Sequence, residues 1–338
     1  MTRSTGTVLL TGGTGTLGLN IAEQLAAEGL PTLVVAAQPP PAEALRVLGT
    51  LPTPVRFADG DVLNHDRLLD LMRANQVDTV IHAAAVTADP TMETGSGDTV
   101  LEVNCVGTLR ALKAAADAGV TRFVYVGSVA AYGALAAERE AWFEEERTQD
   151  RPANLYEISK QAAELSALRY GELRGIQVVS ARVGDVFGRW ERPTPTRSVL
   201  SGPVQVVLRH LAGRAIVLPG PGERYWLYSA DAARAIVWLS RVDRLTHRVY
   251  NVGGTDRWSL LEWAELLSAS AGTASVTVDP ARANVRLAAD NPPLRHERLW
   301  ADTPYRQRFD MRSAFADYMA WARSVHLAFQ PNSSNWSD

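Results

Sequence analysis

The chain has 338 residues, 34 of them basic and 37 acidic, for a formal net charge of −3, with 46% hydrophobic and 21% charged residues. That length suits roughly two domains, or one large α/β unit with an appended lobe, and the near-balanced charge supplies no attraction for nucleic acid or an anionic membrane. A single cysteine, Cys105, excludes an internal disulfide and a cysteine-built zinc site. The six histidines show no paired spacing, so no metal is expected, and no apolar run reaches the ~20 residues that cross a bilayer. The opening "MTRSTGTVLLTGG" runs directly into a strand and a glycine turn without a signal-peptide pattern, so a reducing, cytoplasmic setting is expected.

In chain order, "TVLLT" (7–11), "PTLVVAA" (31–37), "PVRFAD" (54–59), "DTVIHAAA" (78–85), "TRFVYVGS" (121–128) and "IQVVSARV" (176–183) are compact and rich in β-branched residues. They read as buried parallel strands. The amphipathic stretches between them predict helices over 16–28, 65–73, 97–118 and 154–174. Such alternation points to right-handed βαβ crossovers and an α/β, Rossmann-like, doubly wound parallel sheet. Three prolines in "AAQPPPAEAL" (36–45) predict an extended loop in the second crossover.

After residue 183 the texture changes. "GRWERPTPTRSVLSGP" (188–203) reads as a loop over a surface or a site, and "HRVYNVGG" (247–254) as a further strand. The expected organisation is a dinucleotide-binding unit of residues 1–183 plus 226–252, a smaller substrate-binding lobe of 184–225 plus 253–325, and a frayed tail at 330–338.

Gly12, Gly15 and Gly18 fall between the first predicted strand and the first predicted helix. Glycines there allow a tight turn and let backbone N–H groups approach a pyrophosphate at the positive end of the helix. From this point the sequence resembles the extended short-chain dehydrogenases/reductases, the NAD-dependent epimerase/dehydratase family. The motifs "TGGTGTLG", "GDVLN" (60–64), "VIHAAA" (80–85), "EVNCVGTLRALKAAADAGVTRFVYVGSVAAYG" (102–133), "YEISK", "ARVGDVFG" (181–188), "LYSADAARAI" (227–236) and "YNVGG" (250–254) carry the resemblance over about residues 5–325. It implies that Gly12, Gly15, Thr16, Leu17 and Gly18 contact a bound dinucleotide. Asp61 and Val62 would border its adenine, Ala83, Ala84 and Ala85 would pass under its ribose, and Asn104 would take a supporting part.

Tyr156 and Lys160, four apart in "NLYEISKQAAEL", share one helical face. Alone, that spacing is also that of an ordinary surface pair. With Ser128 ending the strand before them, it resembles the family's Ser…YxxxK arrangement. Hydride transfer at a carbon bearing oxygen requires a proton to move on that oxygen, and a free phenol is a poor base at neutral pH. An ammonium about 4 Å away, at an effective dielectric near 20, favours phenolate by up to ~4 kcal/mol. The expected roles are Tyr156 as general acid/base, Lys160 as its electrostatic activator and a ribose ligand, and Ser128 as the group that orients the substrate oxygen.

The departures narrow the chemistry. Family dehydratases carry an acid pair where Val129 and Ala130 stand, so loss of water is not expected. Arg224, seven residues before Asp231, matches an arginine that touches phosphate in nucleotide-sugar enzymes, and Arg197 is a candidate helper. Residues 291–310 lack the "RPGD"-like stretch of those enzymes, and "GRWERPTPTRS" looks more like members that oxidise small sugar acids. The expectation is therefore an oxidoreductase acting with NAD or NADP on a small sugar-derived or acidic molecule. A nucleotide-sugar epimerase with tightly held NAD is the alternative, and a non-catalytic NAD(P)-binding regulator the second alternative. NAD enzymes end the second strand with an acid that binds the ribose hydroxyls. Here Ala36 takes that place, followed by Ala37 and Gln38, which leans the reading toward NADP, with Arg46 able to fold back. The predicted helices 97–118 and 154–174 resemble the pair through which family members form homodimers.

Overall fold

The structure, a computed structural model, describes residues 6–87, 90–134, 141–194, 199–271, 275–287 and 290–325. Seven strands form the central sheet: β1 (Thr7–Thr11), β2 (Thr32–Ala36), β3 (Val55–Asp59), β4 (Val77–His82), β5 (Arg122–Val126), β6 (Gln177–Val183) and β7 (Val249–Val252). Their spatial order is β7-β6-β5-β4-β1-β2-β3, and every pairing is parallel. Side chains of β1, β2 and β5 are buried nearly throughout, because helices cover both faces of a doubly wound sheet and leave no polar side for alternation. The strand order reverses between β1 and β4. Crevices for ligands open at such a point, beyond the carboxyl ends of the strands.

Helix α1 (Thr16–Ala27) leaves the end of β1 and packs against α8 (Ser229–Arg241). Between them in sequence come α2 (Ala42–Leu48), α3 (His65–Ala74), α4 (Pro90–Leu101), α5 (Thr108–Asp117), α6 (Leu155–Arg174) and α7 (Gly202–Leu211). α6 is delimited by its own sequence. Asn154 accepts a hydrogen bond from Glu157 N at its start, and Gly175 closes it in the left-handed conformation.

Two expectations needed correction. The extended loop predicted over 36–45 ends at Pro41, which is itself extended; α2 begins at Ala42, where no further proline blocks the helix. The helix predicted over 97–118 is three pieces: the end of α4, a π-helical turn at Glu102–Gly107, and α5. α4 is irregular at Ser96, in the weakly helical run "ETGSGD".

Beyond β6, Phe187, Trp226, Trp258, Trp263 and Tyr318 gather into a separate aromatic core. The rings of Phe187 and Trp263 meet edge-on at 5.2 Å, and those of Trp258 and Trp263 stack at 5.3 Å. α7, α9 (Leu260–Ala271) and α11 (Met311–Val325) supply its apolar faces; the short α10 (Glu297–Asp302) instead packs beside β7. Among the described residues no helix is long and apolar enough to cross a membrane, and no group of three or more His, Cys, Asp or Glu is placed to hold a metal ion. The tail expected to fray, 330–338, lies outside the described residues.

Arg122 opens β5 and is fully buried. Its guanidinium donates to the carbonyls of Leu239 (3.1 Å), Val242 and Asp243 (3.2 Å) at the end of α8, and to the Gln177 amide oxygen. Arg122→Leu strands those carbonyls in the interior and is expected to cost ~2–4 kcal/mol. Urea unfolding measures this, and an unchanged midpoint would refute the role.

Candidate active site

The glycine turn leaves the sheet where its strand order reverses. Gly12 has φ +64°, and a Cβ there would sit 2.5 Å from Ala84 Cα and N. A Cβ on Gly18 would lie 2.3 Å from the Gly12 carbonyl oxygen. Neither position admits a side chain. Gly12 N donates to Val35 O, Gly15 N to Gly12 O, and Leu19 N to Gly15 O. Gly15 precedes α1 with no side-chain cap, and the first turn, led by Thr16 and Leu17, holds no acid. The leading N–H groups of α1 therefore remain available to an anion. These are the features a dinucleotide's pyrophosphate requires, so such a cofactor fits the cradle.

Neighbouring candidates stand at the same edge of the sheet. Ala83, Ala84 and Ala85 are half-buried just past β4, beside Gly12. Asp61 is exposed, and its carboxylate accepts from Leu63 N at 2.9 Å. Val62 is buried; a Cβ on Gly107 would come within 2.7 Å of its side chain.

Ser128 follows β5 in an extended conformation, and its hydroxyl oxygen accepts from Ala130 N at 3.1 Å. That contact leaves its own O–H free to donate outward. Lys160 is buried and donates to Val126 O at 3.2 Å. Its ammonium lies 5.4 Å from the Tyr125 ring centroid and 6.0 Å from that of Tyr156. Among the described residues no carboxylate pairs with it, and both rings lie within cation–π reach of its ammonium. The lysine thus ties α6 to the end of β5 that presents Ser128, with half-buried Tyr156 one turn before it.

Asn104 sits in the π-helical turn and is buried. Its amide oxygen accepts from Val86 N (2.8 Å), and its amide nitrogen donates to Val86 O (3.0 Å) and Ser159 Oγ (2.9 Å). Ser159 in turn donates to the Tyr156 carbonyl at 2.7 Å. A chain of hydrogen bonds therefore runs from the stretch after β4 to the first turn of α6.

Arg224 is buried, 3.6 Å from the Asp185 carboxylate and 5.3 Å from the Trp226 ring centroid. Glu223, its neighbour, pairs instead with Arg257 at 3.3 Å. Arg197 lies outside the described residues. At the end of β2, Ala36 pairs with Asp59 across to β3. Arg46 turns away to Glu43 at 3.1 Å, while Arg67 donates to the Asp59 carbonyl at 3.1 Å and its stem lies over Gly60.

Three groups were not singled out in the sequence. Asp185 is one. Arg182 is another, buried on β6; it pairs with Glu164 (2.6 Å) and Asp150 (3.0 Å) and lies 4.2 Å from the Tyr132 ring centroid. A charged residue inside an otherwise apolar strand was the available signal. The third is His82, fully buried at the end of β4, held by Thr11 Oγ1 at 2.8 Å and Thr108 Oγ1 at 3.0 Å.

The fold and site define a nucleotide-binding α/β enzyme of the Rossmann type. Residues 8–253 match the sequence model described as the NAD dependent epimerase/dehydratase family, and the chain belongs to that family, within the extended short-chain dehydrogenases/reductases. It is 28% identical to a dTDP-glucose 4,6-dehydratase of an Actinoplanes species over 331 residues, 94% of this chain and 98% of that one. It is 29% identical over 287 residues to a dTDP-glucose 4,6-dehydratase of Streptomyces niveus, covering 82% and 78%. The structure of a Thermus thermophilus UDP-glucose 4-epimerase in complex with NAD superposes with a TM-score of 0.75 at 25% identity, covering 94% of this chain and 99% of that one.

Burial, with the nearby Lys160 charge, lowers the His82 pKa from 6.5 to about 3. The unfolded chain takes up a proton below pH 6.5 that the folded chain refuses until about pH 3. His82 therefore contributes stability above pH 6.5 that is lost as pH falls through that window, by up to ~1.4 kcal/mol per pH unit. Denaturant midpoints taken across the window should show a shallower acid dependence in His82→Asn than in the wild type; equal slopes would refute the assignment.

Proposed function

We propose that the protein moves a hydride between a nicotinamide dinucleotide and a carbon bearing a hydroxyl or carbonyl in a small, sugar-derived or acidic substrate. The observation that carries the reading is the joint placement of Ser128, Tyr156 and Lys160 at the carboxyl end of β5, on the same edge of the sheet as the glycine turn. Bound across that turn, the dinucleotide supplies hydride donation and acceptance. Tyr156 passes the proton to or from the substrate oxygen, Lys160 holds positive charge against the phenol, and Ser128 donates to the same oxygen. Asn104 positions Tyr156 through Ser159, since its own amide is spent within the protein. Asp61, Val62 and Ala83 to Ala85 line the adenosine and ribose path.

Loss of water does not enter the reading. Val129 is buried and apolar and Ala130 has no acid to offer, so these two positions do not supply the extra acid–base pair elimination would use. The similarity to UDP-glucose 4-epimerase supports the second reading, in which hydride returns to the opposite face of the same carbon. In either case the substrate lies against 184–225 and 253–325, and Arg224 meets its anionic group in competition with Asp185. Between NAD and NADP the corner beside Ala36 discriminates weakly. The missing acid on β2 favours NADP and Arg67 would welcome a 2′-phosphate, but Asp59 stands opposite and Arg46 is engaged elsewhere.

Purified protein titrated with NAD and NADP should bind both with affinities within about tenfold. Reduced-nicotinamide absorbance is then followed with anionic and neutral sugars. Tyr156→Phe should lower turnover ~10²–10⁴-fold with dissociation constants for cofactor nearly unchanged. Retention of more than about a tenth of the rate removes Tyr156 as the proton carrier. Bound cofactor with product but no net reduction marks the epimerase, and cofactor binding without turnover of any substrate marks a regulator.

Leu101, Val106, Ile158 and Leu165 are exposed on α4, the π-helical turn and α6. We read this face as the seat of a second copy in a homodimer. Leu165→Glu should then run as a monomer in light scattering while the wild type runs as a dimer; two monomers, or two dimers, would count against it.

A further inference from the structure

Arg192 is a half-buried cation whose partners are two carbonyls. It donates to Thr14 O at 2.9 Å and, at a long 3.5 Å, to Trp190 O. Among the described residues no carboxylate lies within ion-pairing distance of it. Burial accordingly pushes its guanidinium below the usual range, with no acid to offset it. A guanidinium carries five donors, so most remain unspent, and an uncompensated charge taken out of water calls for an anion.

Thr14 belongs to the glycine turn, between Gly13 and Gly15, directly ahead of the uncapped start of α1. The helix terminus and the arginine therefore favour negative charge at one place.

The arginine is delivered there at a conformational cost. Trp190 is fully buried with φ +65°, a region that bulky side chains rarely adopt. The stretch is fastened to α1 on its other side. Asn20 donates to the Arg189 carbonyl at 2.9 Å, Arg189 pairs with Glu23 at 2.9 Å, and Trp190 Nε1 donates to Glu23 at 3.0 Å. Arg189 also binds Asp317 of α11. Strain held by this many contacts serves to fix where Arg192 ends.

We infer that Arg192 is a pyrophosphate ligand of the bound dinucleotide, reaching the glycine turn from the far side of the cleft and closing the cradle that the backbone opens. The inference rests on the proposed dinucleotide occupancy of that turn. It also joins the cofactor to the aromatic lobe, because the loop that presents Arg192 is pinned to α1 and α11 together. The same chemistry would suit a substrate phosphate, and the probes below separate the two sources.

Isothermal titration of wild type, Arg192→Gln and Arg192→Lys uses NAD, NADP, ADP-ribose, adenosine, UDP and dTDP. The expected result for Arg192→Gln is a loss of about ten- to a hundredfold for NAD, NADP and ADP-ribose, with adenosine unchanged and Arg192→Lys recovering part. Ligand-free Arg192→Gln should melt no lower than the wild type, since it sheds an uncompensated cation. Affinities for ADP-ribose within about twofold of wild type would overturn the inference, as would an equal loss for adenosine. A loss confined to UDP and dTDP would move Arg192 to the substrate and overturn it too. Wild type that binds no dinucleotide sinks this inference together with the proposed function; wild type that binds, alongside an unaffected Arg192→Gln, sinks this inference alone.

Discussion

Where β1 gives way to α1 there is no room for a side chain. A Cβ on Gly12 would overlap the backbone at Ala84, and one on Gly18 would overlap the Gly12 carbonyl. This close approach lets the helix start directly at the reversal of strand order, with its N–H groups aimed at the crevice. Much of the rest hangs from it. α1 lies flat enough to pack on α8, and its Asn20 and Glu23 then hold the Arg189–Trp190 stretch. A bulkier turn would displace the helix and, with it, the loop on its far side.

A second constraint fixes the other wall of the site. Arg182, Glu164, Asp150 and Ser180 form a buried polar group in which the acid oxygens and the guanidinium donors meet one another. Such a network is costly to bury and worth keeping only when its members are satisfied, and then it specifies one arrangement. Glu164 lies one turn beyond Lys160 on α6. Binding Glu164 to β6 therefore fixes the rotation of the helix about its axis, and hence where Lys160 and Tyr156 point. Asp150 brings the end of the preceding loop to the same arginine.

The sheet was legible in the sequence because its strands are short, compact and rich in β-branched residues, and the expected boundaries of β1, β2, β3 and β6 differ from the observed ones by no more than a residue at either end. The glycine turn was legible because its spacing is local and its flanks are distinctive; Ser128, Tyr156 and Lys160 came from the resemblance, since the spacing of the last two alone is also that of a surface pair. The π-helical turn was not. It depends on Asn104 reaching Val86 and Ser159, neither adjacent in sequence, while helical periodicity reads straight through it. The Arg224–Asp185 pair was hidden for the same reason: the arginine suggested an anion site, but nothing local reveals the acid folded against it. His82 carried no signal of its own in the sequence, and only its threonine partners on β1 and α5 show why it is there.

The π-helical turn has one more implication, concerning length. A π turn holds one residue more than the α turn it replaces. Removing a single residue from Glu102–Gly107 would let the last part of α4, beyond Ser96, run into α5 as one regular helix, and would rotate the two relative to each other by about 100°. The Asn104 amide could no longer meet both Val86 and Ser159. Exchange of one residue type for another elsewhere in this turn preserves its phase; a deletion does not. Outside Asn104 and Gly107 the turn is therefore constrained by its residue count more than by its composition.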